Sequence, residues 1–201
     1  MTRKVLAIVG VVVLGALAAF AIYQYRLRRE AQRWQGPVRE IVEETIEHDD
    51  GTTRSRFVAM LPAPVNEVQA VVWQVERLQE VVPNFKISRL IEARGNTKRV
   101  ELGIQALSLP LLRYEMEFTL HPDEHRVTFR TLKSQAQEIE GEYKLEASPD
   151  GKKTRVVYTT VAKEKVAVPF PRAVLDSAGR ETFVNTVRGI EKLLLATPPA
   201  G

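Results

Sequence analysis

The feature that most constrains the fold of this chain is a long amphipathic segment near its C-terminus, residues 166–196. Apolar side chains recur there at steps of three and four residues, as one face of an α-helix requires. They are Val174, Leu175, Ala178, Phe183, Val187, Ile190, Leu193 and Leu194. A helix of about 25 residues is on the order of 37 Å long at 1.5 Å per residue, so it can run the length of a sheet. We therefore expect one apolar helix face to cover a sheet, with Ile190 and Leu194 in the core.

Two glycines interrupt this helical pattern, Gly179 and Gly189. Glycine in a helix interior costs about 1 kcal/mol relative to alanine, so each position suggests a specific reason for the missing side chain. The two reasons that the sequence leaves open are close packing of the helix on the sheet and the approach of a ligand.

The sheet is predicted from strict alternation of apolar and polar residues between residues 53 and 163. Tyr114, Met116 and Phe118 alternate with charged or polar neighbours, and Phe129 and Tyr143 lie in two further segments of the same kind. Alternation with period two indicates strands with one buried and one solvated face, typical of an antiparallel sheet covered on one side. Proline and glycine turns separate about seven strands, with two short helices after the first one. The predicted fold class is α+β.

Residues 38–50 fit a short helix about as well as a strand. The Asp50-Gly51 pair that follows is a hairpin signal, and it favours the strand. We assign residues 27–52 to a polar spacer and residues 53–197 to the globular domain, with residues 198–201 as a tail.

The N-terminal segment from Val5 to Tyr25 contains no charged residue. Its length matches the roughly 20 residues that cross a bilayer as a helix, so residues 1–26 are predicted to form a single-pass membrane anchor. A cleaved signal peptide is the alternative, because Ala19-Phe20-Ala21 resembles a cleavage site. The arginines after the segment favour a cytoplasmic domain, whereas the basic N-terminus also suits export of the domain.

Composition excludes several classes of site. The net charge is +4 and much of the excess lies beside the apolar N-terminal segment, which favours contact with anionic lipid over contact with nucleic acid. The chain has no cysteine, so it has no disulfide and no thiolate metal site. His48, His121 and His125 lie far apart in turn-like contexts, without metal-ligand spacing. We predict no metal, no cofactor and no catalytic residue, and the sequence leaves protein partners open.

Three segments carry a resemblance to a known family. The segment FVAMLPAPVNEV at residues 57–68 fits an apolar strand that runs into a proline-rich helix start. The segment VERLQEVVPNFKISRLI at residues 75–91 fits a helix, followed by a proline and an aromatic residue, followed by a strand. The closing helix at residues 183–195 is the third. Together these resemble the START/polyketide-cyclase (SRPBCC) superfamily, most of all its coenzyme-Q-binding, cyclase/dehydrase branch. The resemblance implies a helix-grip fold, in which a curved sheet wraps a C-terminal helix around an apolar cavity for a lipid, isoprenoid or polyketide.

Under this fold, inward-facing residues of the sheet and of the long helix are expected to line the ligand cavity. They are Tyr114, Met116, Phe118, Phe129, Tyr143, Tyr158, Gly179 and Phe183. In an antiparallel meander every second connection lies at the same end, so the connections near residues 107–112 and 166–172 share one end of the sheet. Both are unusually apolar, which suggests a pocket mouth or a membrane-facing surface. The residues assigned to it are Leu107, Leu109, Leu111, Val168 and Phe170.

The sequence therefore predicts a membrane-anchored protein that binds or transfers a hydrophobic small molecule such as a lipid, an isoprenoid or a quinone-like compound. Two alternatives stay open: a cyclase or dehydratase that uses the same cavity, and an interaction module whose cavity is filled by its own side chains. An apolar cavity with one polar group favours binding, whereas two inward titratable groups favour an enzyme.

Overall fold

The computed structural model describes residues 19–107, 109–166 and 170–196. The chain divides between Gly36 and Pro37 into two compact units. In the first unit, residues 19–33 are helical (α1). Among the described residues, no helix combines the length and the apolar content that crossing a membrane requires. Most of the predicted span, Val5 to Tyr25, lies outside the described residues, so the anchor stays a prediction.

The second unit is built on one antiparallel sheet. Its strands are β1 Ile41–Asp49, β2 Thr52–Leu61, β3 Phe85–Arg94, β4 Thr97–Ile104, β5 Leu112–His121, β6 Arg126–Ser134, β7 Gln137–Ala147 and β8 Thr154–Glu164. Their spatial order is β1-β2-β8-β7-β6-β5-β4-β3, and every neighbouring pair is antiparallel. The described residues thus form eight strands, where the sequence predicted about seven.

The additional strand is β1, which lies within the stretch assigned to a spacer. It pairs with β2 from Ile41 opposite Ala59 to Asp49 opposite Thr52. The hairpin turns at Asp50-Gly51, where Gly51 has a φ of 73°, a conformation that glycine adopts without strain. The strand interpretation of residues 38–50 is therefore confirmed, and the spacer boundary at residue 52 is wrong because the sheet begins at Ile41.

Short helices connect β2 to β3, as predicted. They are α2 Val65–Val72, a 3₁₀ turn Val75–Arg77 and α3 Leu78–Val81. The long C-terminal helix, α4, spans Arg172–Ala196. It begins directly after Pro171, whose carbonyl accepts a hydrogen bond of 2.9 Å from the backbone N–H of Val174.

The main core lies between α4 and the inner face of the sheet. Phe183, Val187, Ile190 and Leu193 of α4 are buried there, and Leu194 is partly buried against the same cluster. At the β1 edge of the sheet, polar contacts hold the helix. Arg180 donates a 2.7 Å hydrogen bond to Glu44, and a ring nitrogen of His48 lies 3.3 Å from Asp176. The helix thus contacts β1 through these polar pairs, and it also packs against α2 and α3.

Strand register fixes which connections lie together. Leu112 of β5 pairs with Ile104 of β4, Gln137 of β7 pairs with Glu164 of β8, and the 105–111, 135–136 and 165–171 connections therefore share one end of the sheet. We call it the α4-start end. This confirms the prediction from strand parity. β1 starts at the opposite end, because its first residue, Ile41, pairs with Ala59 near the end of β2.

Candidate functional site

A small cavity of about 70 Å³ lies between the sheet and α4. It is lined by side chains from the α2–α3 segment, from strands β3 to β8 and from α4. They are Val72, Val75, Leu78, Phe85, Leu102, Ile104, Met116, Phe118, Phe129, Ile139, Tyr143, Tyr158, Thr186 and Ile190. None of these described lining residues carries a charge at neutral pH, so the cavity is an apolar site.

Several of the residues predicted to line the cavity do so, namely Met116, Phe118, Phe129, Tyr143 and Tyr158. Two others lie in the core beside it. Phe183 packs against Phe57 and Tyr158, with ring centroids 5.4 and 5.6 Å apart, and the buried Tyr114 accepts a 2.8 Å hydrogen bond from the Gln137 amide. Alternation along the strands identified these positions because it reports which face is inward.

Gly179 does not line the cavity, contrary to the prediction. It is exposed, and a Cβ built there would meet nothing within 4 Å. The other helical glycine, Gly189, is the one in close contact, because a Cβ there would lie 2.5 Å from Cγ2 of Val82. The helical pattern showed that both glycines are unusual, but it did not show which one faces a neighbour.

The polar side chains of the lining are Tyr143, Tyr158 and Thr186. Tyr143 and Tyr158 are cross-strand partners whose ring centroids lie 4.8 Å apart. Neither phenol hydroxyl makes a hydrogen bond to any residue of the described ranges. Thr186 differs from them, because its hydroxyl donates a 2.8 Å hydrogen bond to the Thr182 carbonyl of its own helix.

Both cavity phenols are held in the neutral form. Burial raises the pKa of Tyr143 well above its ordinary value, and the neighbouring Tyr158 raises that pKa further. Burial also raises the pKa of Tyr158, with a smaller contribution from Tyr114. At neutral pH the two groups are therefore hydrogen-bond donors and not proton carriers.

The lining from the α2–α3 segment and from β3 and β4 was not predicted. Val72, Val75 and Leu78 belong to short helices whose apolar residues gave no indication of which element they face. Ile139 is different, since its inward position follows from the alternation along β7. Whether the inward residues of β3 and β4 reach the cavity depends on how the sheet curves, and local sequence patterns do not report that curvature.

The residues predicted to form a pocket mouth or membrane contact differ in their exposure. Leu107 and Leu111 are exposed, to 52% and 37%, but Leu109 is only 8% exposed and packs with Ala106 and Ala178. Phe170 is partly buried against the same cluster, and Val168 lies outside the described residues. The expectation that Leu109 and Phe170 are exposed is wrong, because Leu109 packs with Ala178 of α4 and Phe170 is partly buried against the same cluster.

A second, open depression of about 870 Å³ lies on the outer face of the sheet. Most of its lining residues are polar or charged, and most of its arginines are in ion pairs with glutamates. Arg56 is 2.9 Å from Glu43, and Arg130 is 2.6 Å from Glu117. Despite its size, this surface is a salt-bridged sheet face and lacks the enclosed apolar character of a small-molecule site.

The histidines have separate hydrogen-bond partners. His121 lies 3.2 Å from the Thr128 hydroxyl and His125 lies 2.6 Å from the Gln69 amide oxygen, while His48 contacts Thr53 and Asp176. Within the described part of the chain, no three His, Asp or Glu side chains converge in a way that could hold a metal ion.

The fold and the apolar cavity agree with a comparison against known families. The sequence model of the family described as "Polyketide cyclase / dehydrase and lipid transport" matches residues 61–191. The chain belongs to this family. The match runs from the end of β2 to the last turns of α4, so it includes the cavity, and it confirms the START-like resemblance seen in the sequence.

Solved structures show the same fold at low sequence identity. The chain is similar to the Zhui aromatase/cyclase of Streptomyces sp. R1128, with a TM-score of 0.64 and 15% identity over 75% of this chain and 99% of the other. A START superfamily protein of Mycobacterium smegmatis gives 0.57 and 13%, over 71% and 97%. A STAR-related lipid transfer protein of Xanthomonas axonopodis gives 0.56 and 16%, over 76% and 98%. None of the curated proteins compared matches the chain.

Proposed function

We propose that this protein binds a hydrophobic small molecule between the sheet and α4, and that an N-terminal anchor holds it at a membrane. The observation that carries the proposal is the apolar cavity, in which the only polar side chains among the described lining residues are two phenols and a threonine. Its family contains lipid-transport proteins as well as cyclases and dehydrases, so the cavity chemistry has to decide between binding and catalysis.

The size of the cavity determines how a ligand would enter. At about 70 Å³ it is well below the roughly 300–1,000 Å³ of typical ligand pockets, so binding requires side chains to move. Met116 and Leu78 are suited to that movement, since both line the cavity and methionine in particular repacks at low cost. Ligand binding would thus widen a site that is nearly closed when empty.

Two titratable groups, Tyr143 and Tyr158, do line the cavity, which is the arrangement expected of an enzyme, but their pKa values favour binding over catalysis. A general acid or base works best with a pKa near the working pH, and burial moves the pKa of Tyr143 and of Tyr158 away from it. The described lining residues include no carboxylate, imidazole or amine that could exchange protons with them. The two phenols therefore support orientation of a ligand by hydrogen bonds rather than proton transfer.

The proposed mechanism is transfer beside the bilayer. An apolar chain of about ten methylenes gains on the order of 8 kcal/mol by leaving water, so release into water is slow and a carrier is useful. The uncharged run from Val5 to Tyr25 supports an anchor, and the exposed Leu107, Leu111 and Val166 give the α4-start end an apolar surface. The anchor is tested by washing membranes with carbonate and sequencing the mature N-terminus. Soluble protein that starts at Ile22 would contradict it.

Cavity binding is tested by native mass spectrometry of the full-length chain after gentle detergent extraction. Thr186→Leu fills the cavity without leaving a partner unpaired, because the Thr186 hydroxyl bonds only its own helix. The matched control is Ser177→Leu, whose hydroxyl makes the same kind of bond to the Ala173 carbonyl on the exposed side of α4.

We expect an apolar adduct on the wild type and on Ser177→Leu, and its loss from Thr186→Leu, with all three proteins folded. An apo mass for the wild type, together with a stable Thr186→Leu variant, would instead support an interaction module whose core is filled by its own side chains.

A further inference from the structure

The phenols of Tyr143 and Tyr158 are hydrogen-bond donors without a described partner. Both line the cavity, they are direct cross-strand neighbours, and their ring centroids are 4.8 Å apart. Buried tyrosine hydroxyls usually find a partner, as the Tyr114 hydroxyl does with Gln137 at 2.8 Å. Tyr143 and Tyr158 are partly buried and line the cavity, so their two adjacent hydroxyls, which have no partner among the described residues, point to an acceptor that enters the cavity.

The other polar group of the lining cannot replace such an acceptor. The Thr186 hydroxyl donates its proton to the Thr182 carbonyl, so it offers the cavity only a lone pair. The cavity thus presents two O–H donors that no residue of the described ranges engages, in surroundings that are otherwise apolar.

Charge narrows the ligand class further. No arginine, lysine or histidine occurs among the described lining residues, so an anionic headgroup would be buried without a cation to balance it. Arg180 of α4 donates a hydrogen bond to Glu44 on β1 and is not among the lining residues, so it does not supply this cation. Carboxylates and phosphates are therefore disfavoured, whereas a neutral carbonyl oxygen accepts hydrogen bonds without carrying a charge.

We infer that Tyr143 and Tyr158 select a neutral ligand in which a carbonyl oxygen terminates or interrupts an apolar chain, and that both phenols donate to this oxygen. The inference rests on the proposed binding function. It adds a specificity that an apolar cavity alone would lack, since such a cavity would bind an alkane as well as a ketone of equal length.

The test uses the full-length chain and three probes of matched length: decyl methyl ketone, dodecane and dodecanoate. Native mass spectrometry in competition gives their relative affinities. A donated hydrogen bond is expected to favour the ketone over the alkane by about three- to tenfold. Dodecanoate is expected to bind at least about tenfold more weakly than the ketone, because its charge would be buried without a partner. The carbonyl stretch of the bound ketone should fall in frequency when the phenols donate to it.

The variants are Tyr143→Phe and Tyr158→Phe, with Tyr114→Phe as the matched control outside the cavity lining. Either cavity variant should bring ketone affinity toward that of the alkane and raise the carbonyl frequency, while alkane binding stays unchanged. Tyr114→Phe should alter neither measurement.

The two proposals fail in different ways. If none of the probes binds the folded wild type, the binding function itself is overturned. If the probes bind but the ketone shows no preference and no frequency shift, or if Tyr114→Phe changes them as much as the cavity variants do, the role of the phenol pair is overturned and the binding function stands.

Discussion

Two glycines of α4 have opposite structural roles, although the sequence presents them in the same way. A Cβ at Gly189 would lie 2.5 Å from Cγ2 of Val82 and 3.1 Å from Cγ2 of Val81, and both of these side chains are stiff. At the exposed Gly179 a Cβ would meet nothing within 4 Å. The close contact lets α3 approach α4 beside the cavity, so Gly189 has a packing role and Gly179 has none.

Alanine substitutions should therefore change stability in opposite directions. Gly189→Ala forces Val82 to move in a close-packed core, and we expect the free energy of unfolding to fall by about 1–3 kcal/mol. Gly179→Ala should raise it by up to about 1 kcal/mol, because alanine is the better helix former. Denaturant titration of both variants measures the difference. A change of the same sign in the free energy of unfolding of both variants would show that α3 does not restrict the side chain at position 189.

Tyr114 should make stability depend on pH in the alkaline range. Burial raises the pKa of this phenol from 10.0 to about 12 in the folded protein. The unfolded chain releases the proton near pH 10 and the folded chain keeps it, so the stabilising contribution is complete below pH 10 and is lost between pH 10 and about 12. The loss is roughly 1.4 kcal/mol per pH unit.

The measurement is the free energy of unfolding of the wild type and of Tyr114→Phe at several pH values from 8 to 12. The advantage of the wild type, whatever its size at pH 8, should shrink as the pH rises above 10. A constant difference across that range would mean that the phenol ionises equally in the folded and unfolded chains.

At the level of elements, most of the fold was predictable because its signals are local. The alternation in β5 to β8, the proline and glycine turns and the apolar face of α4 each follow from a few consecutive residues. β1 was ambiguous, because residues 41–46 fit both periods until pairing with β2 selects the strand. Secondary-structure preference alone could not exclude the helix.

The connection between β4 and β5 has a feature that local sequence signals do not predict, namely which of its leucines are buried. Its apolar composition predicts an exposed mouth, but Leu109 is 8% exposed and packs on Ala178 of α4, whereas Leu107 two residues earlier is 52% exposed. Nothing in the local sequence distinguishes these two leucines. Only the path of the connection over the helix decides which one is buried.

This pair gives a test of the element packing. Leu109→Ser should lower the free energy of unfolding by about 2–5 kcal/mol, as expected when a buried leucine is truncated. Leu107→Ser should change it by no more than about 0.5 kcal/mol, because its side chain is exposed. Thermal unfolding followed by circular dichroism compares them. Similar melting temperatures for both variants would mean that the connection does not pack on α4.

For the whole molecule, strand parity predicted which connections share the α4-start end, and the register confirms it. Parity does not predict which of their side chains point outward, so the candidates for membrane contact differ from those that the sequence predicts. Leu107, Leu111 and Val166 are exposed at this end, to 52%, 37% and 54%. The chain enters the sheet at the opposite end, since Ile41 pairs with Ala59 near the end of β2. Membrane contact by the α4-start end is therefore measured on the unit that carries the sheet alone, so that the predicted anchor does not contribute to binding.

If the α4-start end contacts lipid, replacing Leu107 and Leu111 together with Ser should weaken liposome binding by residues 37–201, the compact unit that carries the sheet. Full burial of such a side chain is worth about 1.5–3 kcal/mol, so even partial insertion of both leucines predicts at least about a tenfold loss of affinity.

The matched control replaces Leu90 and Ile91, which are exposed to 42% and 45% on β3 away from this end. Co-sedimentation with liposomes and the melting temperature are recorded for each protein. Membrane contact through this end requires the loss to be confined to the Leu107/Leu111 variant with its melting temperature preserved. An equal loss in the control would indicate nonspecific adsorption of apolar surface, and no loss in either would remove the membrane-facing role of the α4-start end while leaving the cavity between sheet and α4 unaffected.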